Sequence, residues 1–170
     1  MSGRLAVCTM TTFVALVSAC TSPIEGTAAP SATTPEAAPL VGMSACLTLD
    51  KALTGQGFPA ASLSTADPEH ACSTLKHNVG TYGLTLQDGQ TIEENIDHPD
   101  RTETGHVRER RAILERNLNG TELGCAVRME VPPRSRAIAV VALATGTTEQ
   151  ACDAVRRLAE SVELLLPKTG

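Results

Sequence analysis

The chain has no tryptophan, one tyrosine and two phenylalanines. A core built without large rings must be aliphatic and rich in small side chains, which bury less area each. Single-stranded nucleic acid would find no stacking platform on it. A basic excess is also missing. The formal net charge is −5, so no electrostatic steering toward nucleic acid or anionic lipid is expected. No apolar run reaches the roughly 20 residues that a spanning helix needs. There is no Cys-x-x-Cys, no Gly-x-Ser-x-Gly and no His-Glu-x-x-His, which removes the usual signatures of zinc and hydrolase sites. Gly55-Gln56-Gly57 lacks the third glycine and following helix of a dinucleotide loop.

What is present starts at the N-terminus. Leu5 to Val17 is mostly apolar, interrupted by Thr9, Thr11 and Thr12, and follows a short segment carrying Arg4. That length suits a secretory h-region. The run closes on Val17-Ser18-Ala19-Cys20, which resembles a bacterial lipobox: an aliphatic residue, two small residues, then cysteine. The resemblance implies a lipoprotein signal peptide over 1–19, cleavage before Cys20, and a diacylglyceryl thioether on its sulfur. Palmitate-type chains contribute roughly 0.8 kcal/mol per buried methylene, so two or more hold firmly. The implied location is the extracytoplasmic face of the cell membrane, with the membrane as first partner.

Residues 20–45 read as a tether. They are rich in Pro, Ala, Thr and Ser and have no periodic apolar face, so they cannot bury enough surface to offset ordering entropy. As a coil the tether would span about 27 Å, and fully extended about 75 Å. Residues 46–167 are expected to form one globular domain.

Four cysteines fall in that domain: Cys46, Cys72, Cys125 and Cys152. In an exported chain an even number points to disulfides. Four allow three pairings. The favoured one is Cys46–Cys72 with Cys125–Cys152, which closes two loops of similar length and stabilises by roughly 3.5 kcal/mol each in the chain-entropy description. His70 and His77 flank Cys72, but the spacing matches no zinc site. No metal and no cofactor is expected.

Periodicity gives the elements. Thr48 to Thr54 reads as a two-turn helix with Thr48 as N-cap, stopped by Gly55 and Gly57. Residues 60–71 read as loop. Tyr82, Leu84 and Leu86 alternate with polar or small residues as a strand, and Asp88-Gly89 turns it. Residues 91–105 are strongly polar and read as one helical turn and a surface loop. Residues 106–118 fit either a helical stripe or a strand; Asn119-Gly120, a hairpin signal, favours strand. Cys125, Val127, Met129 and Val131 alternate as a clear strand ended by Pro132-Pro133. Residues 137–144 are apolar on both faces and predict a strand covered on both sides. Thr147 and Gln150 form a capping box ahead of a long amphipathic helix ending near Pro167. The fold class is α+β: an antiparallel sheet of four to six strands, covered by helices and stapled by two disulfides.

Several of these residues also carry a family resemblance. A lipobox and a Pro/Thr/Ala tether lead into Cys46-Leu47-Thr48-Leu49. Cys72, Arg111-Ala112 and Gly124-Cys125-Ala126-Val127 follow, and Ala151-Cys152 opens a helix that closes on Leu166-Pro167. This resembles the small actinobacterial lipoproteins classed as a domain of unknown function. Ser73-Thr74-Leu75 lacks the aromatic residue that many members have there. The resemblance implies a PsbP-like sandwich, with a sheet between helices, and an envelope location. It implies no catalytic residues.

Glu93, Glu94 and Asp97 could form paired carboxylates, but calcium-loop spacing is absent and a solvated face is the expectation. His98 and His106 flank the same loop. Arginines crowd the second half. Were 106–118 a strand, Arg108 and Arg110 would project from one face with Arg116 further along it, a candidate patch for an anion or acidic partner. The interspersed Glu109, Glu115, Glu122 and Glu130 favour an ordinary salt-bridged surface. The expected function is a lipid-anchored, non-enzymatic binding module for a protein or small ligand. An accessory subunit of an envelope or secretion complex is one alternative, and an extracytoplasmic enzyme without recognisable motif is another.

Overall fold

The computed structural model describes residues 38–168. The expected signal peptide, the lipid site Cys20 and the tether up to residue 37 lie outside the described residues. Helix α1 is Ala45–Ala52. Seven strands follow: Ser62–Leu63 (β1), Ala71–Lys76 (β2), Gly80–Asp88 (β3), Thr102–Val107 (β4), Arg110–Arg116 (β5), Gly124–Val131 (β6) and Ser135–Leu143 (β7). Helix α2, Thr148–Glu163, is the last element among the described residues. All pairings are antiparallel, and the order across the sheet is β1-β2-β3-β7-β6-β5-β4. The α+β class and both bridges, Cys46–Cys72 and Cys125–Cys152, are as the residues led us to expect. The sheet is wider than the four to six strands expected.

The extra strands are those with little apolar alternation. β2 turns Cys72 and Thr74 inward, a sulfur and a hydroxyl where hydrophobes would signal a strand. β4 is largely exposed at the sheet edge and needs no apolar face. Its partner β5 is joined to it by a two-residue turn at Arg108-Glu109, so 106–118 is a turn and a strand, not one strand. Arg108 holds a positive φ of 54° there, as two-residue hairpin turns demand. Asn119-Gly120 does not make the expected tight hairpin. It sits in a 3-10 turn, Leu118–Gly120, within a longer link.

The N-cap of α1 lies four residues earlier than the sequence suggested. Ser44, not Thr48, accepts the capping bond from the Leu47 N–H at 3.3 Å, and Thr48 is buried one turn in. The α2 capping box forms as expected. The Thr147 hydroxyl accepts from the Gln150 N–H, and the Gln150 side chain accepts from the Thr147 N–H at 2.9 Å. Between β2 and β3 the chain needs glycine at 80. Its φ is +141°, and a Cβ there would strike the Ala142 backbone.

Both helices pack on one face of the sheet. Register carries Cys72 across Leu84, Ala139, Val127 and Leu114, all on the same side. Cys125, opposite Val141, shares that side. One bridge therefore ties α1 to this face and the other ties α2 to it. Ala137, Ala139 and Val141 on β7 lie beneath the helices with Leu49, Val155, Leu158 and Val162. Leu40 also reaches this core, its N–H donating to Asp88, so the packed body starts before Cys46. The expected sandwich, with helices on both faces, is corrected: the opposite face carries no helix among the described residues. Ile138 and Val140 of β7, on that face, are only half-buried.

Residues 89–98 cover part of that second face instead of forming a free surface loop. Ile92 has no exposed surface. Arg136 donates to the Gln87 side chain at 2.8 Å and to the Thr91 and Glu94 carbonyls, and Arg128 donates to the Glu94 and Asn95 carbonyls at 3.1 and 3.0 Å. Among the described residues, no helix is long and apolar enough to cross a membrane.

Candidate functional site

The strongest candidate site lies where β4, β5 and α2 meet. The two-residue turn makes Val107 and Arg110 a hydrogen-bonded pair, and antiparallel alternation fixes the rest. Residues 103, 105 and 107 then turn their backbone groups toward β5. Thr104 and His106 turn theirs outward, along an edge that no other strand covers among the described residues. The register also assigns faces. Glu103 opposes Leu114 and Gly105 opposes Ala112, both on the helix side.

Gly105 has no backbone reason to be glycine. Its φ is ordinary, and a Cβ built on it meets nothing within 4 Å. Beside it lies a notch of about 190 Å³. Ala112, Leu114 and Val127 line it with Val107, and Arg156 and Glu160 of α2 face them, with Glu103 at the rim. Thr104 and His106 contribute to the strand edge, their side chains belonging by alternation to the opposite face. Ligand pockets for drug-sized molecules run to about 300–1,000 Å³. This notch is smaller and suits one bulky apolar group.

The charges at its margin lean acidic. Glu103 sits 3.5 Å from Arg116, and Arg156 is held by Asp153 at 2.9 Å. Glu160 has no ion pair among the described residues and is exposed.

A second cavity, about 330 Å³, lies between α1 and α2 over β3. Tyr82, Gln56, Arg157 and Glu160 contribute its polar groups. Burial pushes the Tyr82 hydroxyl pKa up, and the Arg157 charge only partly offsets this. The phenol therefore stays protonated at neutral pH and serves as a hydrogen-bond donor or acceptor, not a base. Phe58 packs against it with ring centroids 4.5 Å apart.

The three arginines of the candidate patch do not form one surface. Arg110 is 4 % exposed and donates to the carbonyls of Glu130 and Pro167, both at 2.8 Å. Its Nε lies 3.6 Å from Glu163, as does that of Arg108. The two thus gather at the C-terminal end of α2, where cations are favoured. Arg116 is at the other end, near Glu149 and the Cys152 sulfur, at 3.6 and 3.7 Å. Six residues of strand put Arg110 and Arg116 about 20 Å apart, too far to share one small anion.

The arginine cluster that does form was not singled out from the sequence. Arg111, Arg128, Arg134 and Arg136 stand on the helix-free face and hold the 89–98 segment. Glu93 pairs with Arg111 and Glu94 with Arg134. Both carboxylates are ion-paired to the sheet yet remain open to solvent, and Asp97 is exposed as well. Burial alone would raise the Glu93 pKa. Hydrogen bonds from its own backbone, Arg111 and Thr91, with the Arg111 charge, override that and bring it below the usual carboxylate value. Burial lowers the Arg136 pKa, Arg128 lowers it further, and Glu94 opposes both. Only the register of β5, β6 and β7, with the turn between β6 and β7 that carries Arg134, brings these arginines together.

Among the described residues, no group of histidine, cysteine, aspartate and glutamate is placed to hold a metal ion. All four domain cysteines are in disulfides. No family model, curated protein or solved structure matches this chain.

Proposed function

We propose that this protein is a lipid-anchored binding module of the cell envelope, held through Cys20 at the extracytoplasmic face and acting without catalysis. Its contact point is the Gly105 notch. The observation that carries this reading is a glycine that neither backbone nor packing requires, opposite Ala112 and open to solvent. It maintains a small apolar recess in a strand that a larger residue would stabilise. The notch is apolar at its floor, and the His106 ring belongs to the opposite face, so no histidine–carboxylate pair converges there. The lipobox supports the anchor, and the Pro/Ala/Thr/Ser-rich stretch between Cys20 and the packed body at Leu40 supplies reach. Use of the same recess by a larger envelope or secretion complex is the accessory-subunit form of this reading.

The test has two arms on the full chain. In a host that lipidates exported cysteines, an alkyne fatty acid should label the wild type and not Cys20→Ala. Ligand-observed NMR with isoamyl alcohol should show binding to the wild type that Gly105→Val removes. An unlabelled wild type overturns the anchor, and equal binding by both proteins overturns the contact point.

A further inference from the structure

We propose that β4 takes up an extended peptide as an eighth, antiparallel strand. A bulky apolar side chain of that peptide fills the Gly105 notch, and a basic side chain two residues later meets the rim at Glu103 and Glu160. The inference rests on the notch being the contact point and names its occupant.

The edge itself is the first reason. β4 is six residues long, mostly exposed, and terminal in the sheet. Natural sheets protect such edges because their free N–H and C=O groups template another strand. Here no proline, lysine or bulge blocks it. Added peptides commonly bind this way, with main-chain bonds giving affinity and pockets for alternate side chains giving specificity.

The alternation places the notch where that mode needs it. The outward backbone groups of Thr104 and His106 would form the hydrogen-bonded pairs with the incoming strand. The residue opposite Gly105 then occupies a non-hydrogen-bonded pair on the helix side, where side chains approach most closely. A recess of about 190 Å³ at that position takes a single large apolar side chain. In antiparallel pairing, the residue two positions later opposes Glu103. Glu160, which has no ion pair among the described residues, favours a cation there together with Glu103, whose charge Arg116 shares at 3.5 Å.

The same charges argue against this chain's own segments. No lysine or arginine occurs between Arg4 and Lys51, and the stretch after Cys20 carries Pro23, Pro30, Pro35 and Pro39, which cannot donate to a ladder. In a second copy, Val107 is the only large hydrophobe on β4. Aligning it with Gly105 would set Glu109 of that copy against Glu103, a like-charge contact that disfavours the pairing. The fitting partner is a peptide segment with the pattern apolar-x-basic in extended conformation.

The probe is a fluorescein-labelled heptapeptide with central phenylalanine, lysine two residues after it, and threonine elsewhere, titrated against the full chain in detergent. Saturable anisotropy is expected below about 1 mM, weakened at least about tenfold by Gly105→Val and several-fold by glutamate in place of the lysine. Thr104→Pro removes an outward N–H that β5 does not use. It should abolish peptide binding while isoamyl alcohol still enters the notch. Peptide binding untouched by Thr104→Pro or Gly105→Val overturns the proposal. So does failure of the peptide while the alcohol binds, which leaves the notch reading standing; failure of both removes that reading too. Self-association abolished by Thr104→Pro would assign the edge to a second copy and overturn the peptide.

Discussion

Arg128 donates from both Nε and Nη2 to a single carboxylate oxygen of Glu115, at 3.2 and 2.9 Å, across neighbouring strands β6 and β5. Both residues are buried, at 8 % and 4 % exposure. The pair sits on the helix-free face and anchors the 89–98 segment, because the rest of the Arg128 guanidinium bonds the carbonyls of Glu94 and Asn95. Taking one charge from a buried pair leaves the other uncompensated, which costs about 3–5 kcal/mol. Glu115→Gln should therefore destabilise by roughly 3 kcal/mol in urea unfolding. Arg111→Gln, whose Glu93 and Glu130 partners are exposed or half-exposed, should cost less than about 1 kcal/mol. Equal losses would contradict this division of roles.

The Glu93–Arg111 contact gives the 89–98 segment a pH dependence. The Glu93 pKa is lower in the folded protein than in the free side chain. Its contribution is therefore present above the unfolded pKa, about 4.3, and is lost as pH falls through the folded value. Amides of residues 90–96 should exchange faster, relative to β6 and β7, as pH drops from about 5 toward 3 once intrinsic rates are corrected. In Glu93→Gln that acid-dependent step should shrink, and an unchanged step would assign it elsewhere.

The two disulfides hold elements of unequal independence. α1 has eight residues, and α2 has sixteen with seven buried. Two turns of helix are marginal without tertiary support. The Cys46→Ser/Cys72→Ser double variant should lose about 3 kcal/mol and show α1 opening below global unfolding in hydrogen exchange. The Cys125→Ser/Cys152→Ser double variant should lose a similar amount, with α2 still exchanging only by global unfolding. Selective opening of α2 and not α1 would reverse the ranking.

Much of the second half was legible because its residues obey local rules. β6 alternates from Cys125 to Val131, and Thr147 with Gln150 announces α2 by a capping box. The pairing of Cys125 with Cys152 followed from compact loops of similar length. β2 and β4 were not legible, because Cys72 and Thr74 give no apolar alternation and an exposed edge strand needs none. The side of the sheet taken by each helix was hidden too. Residues 137–144 are apolar on both faces, yet only Ala137, Ala139 and Val141 lie under helices, while Ile138 and Val140 stay half-exposed. Nor could the sequence mark Gly105, which sits in a polar stretch. The notch depends on Ala112, Leu114 and Val127 from two other strands and on Arg156 and Glu160 from α2. The arginines likewise carried no sign of their sorting. Arg110 and Arg116 were expected to share a strand face, which they do, but α2 lies over that face and separates their partners.

Gly105→Val in the full chain, followed by thermal unfolding and isoamyl alcohol binding on the same preparation, separates a glycine kept for a ligand from one kept for the fold. Glycine weakens a strand by about 0.5–1 kcal/mol, so filling an open position should raise the melting temperature by roughly 2–4 °C. That rise is expected together with loss of alcohol binding: a recess kept open at the expense of stability. A fall in melting temperature with binding intact would contradict it, because the glycine would then serve the fold and not a ligand.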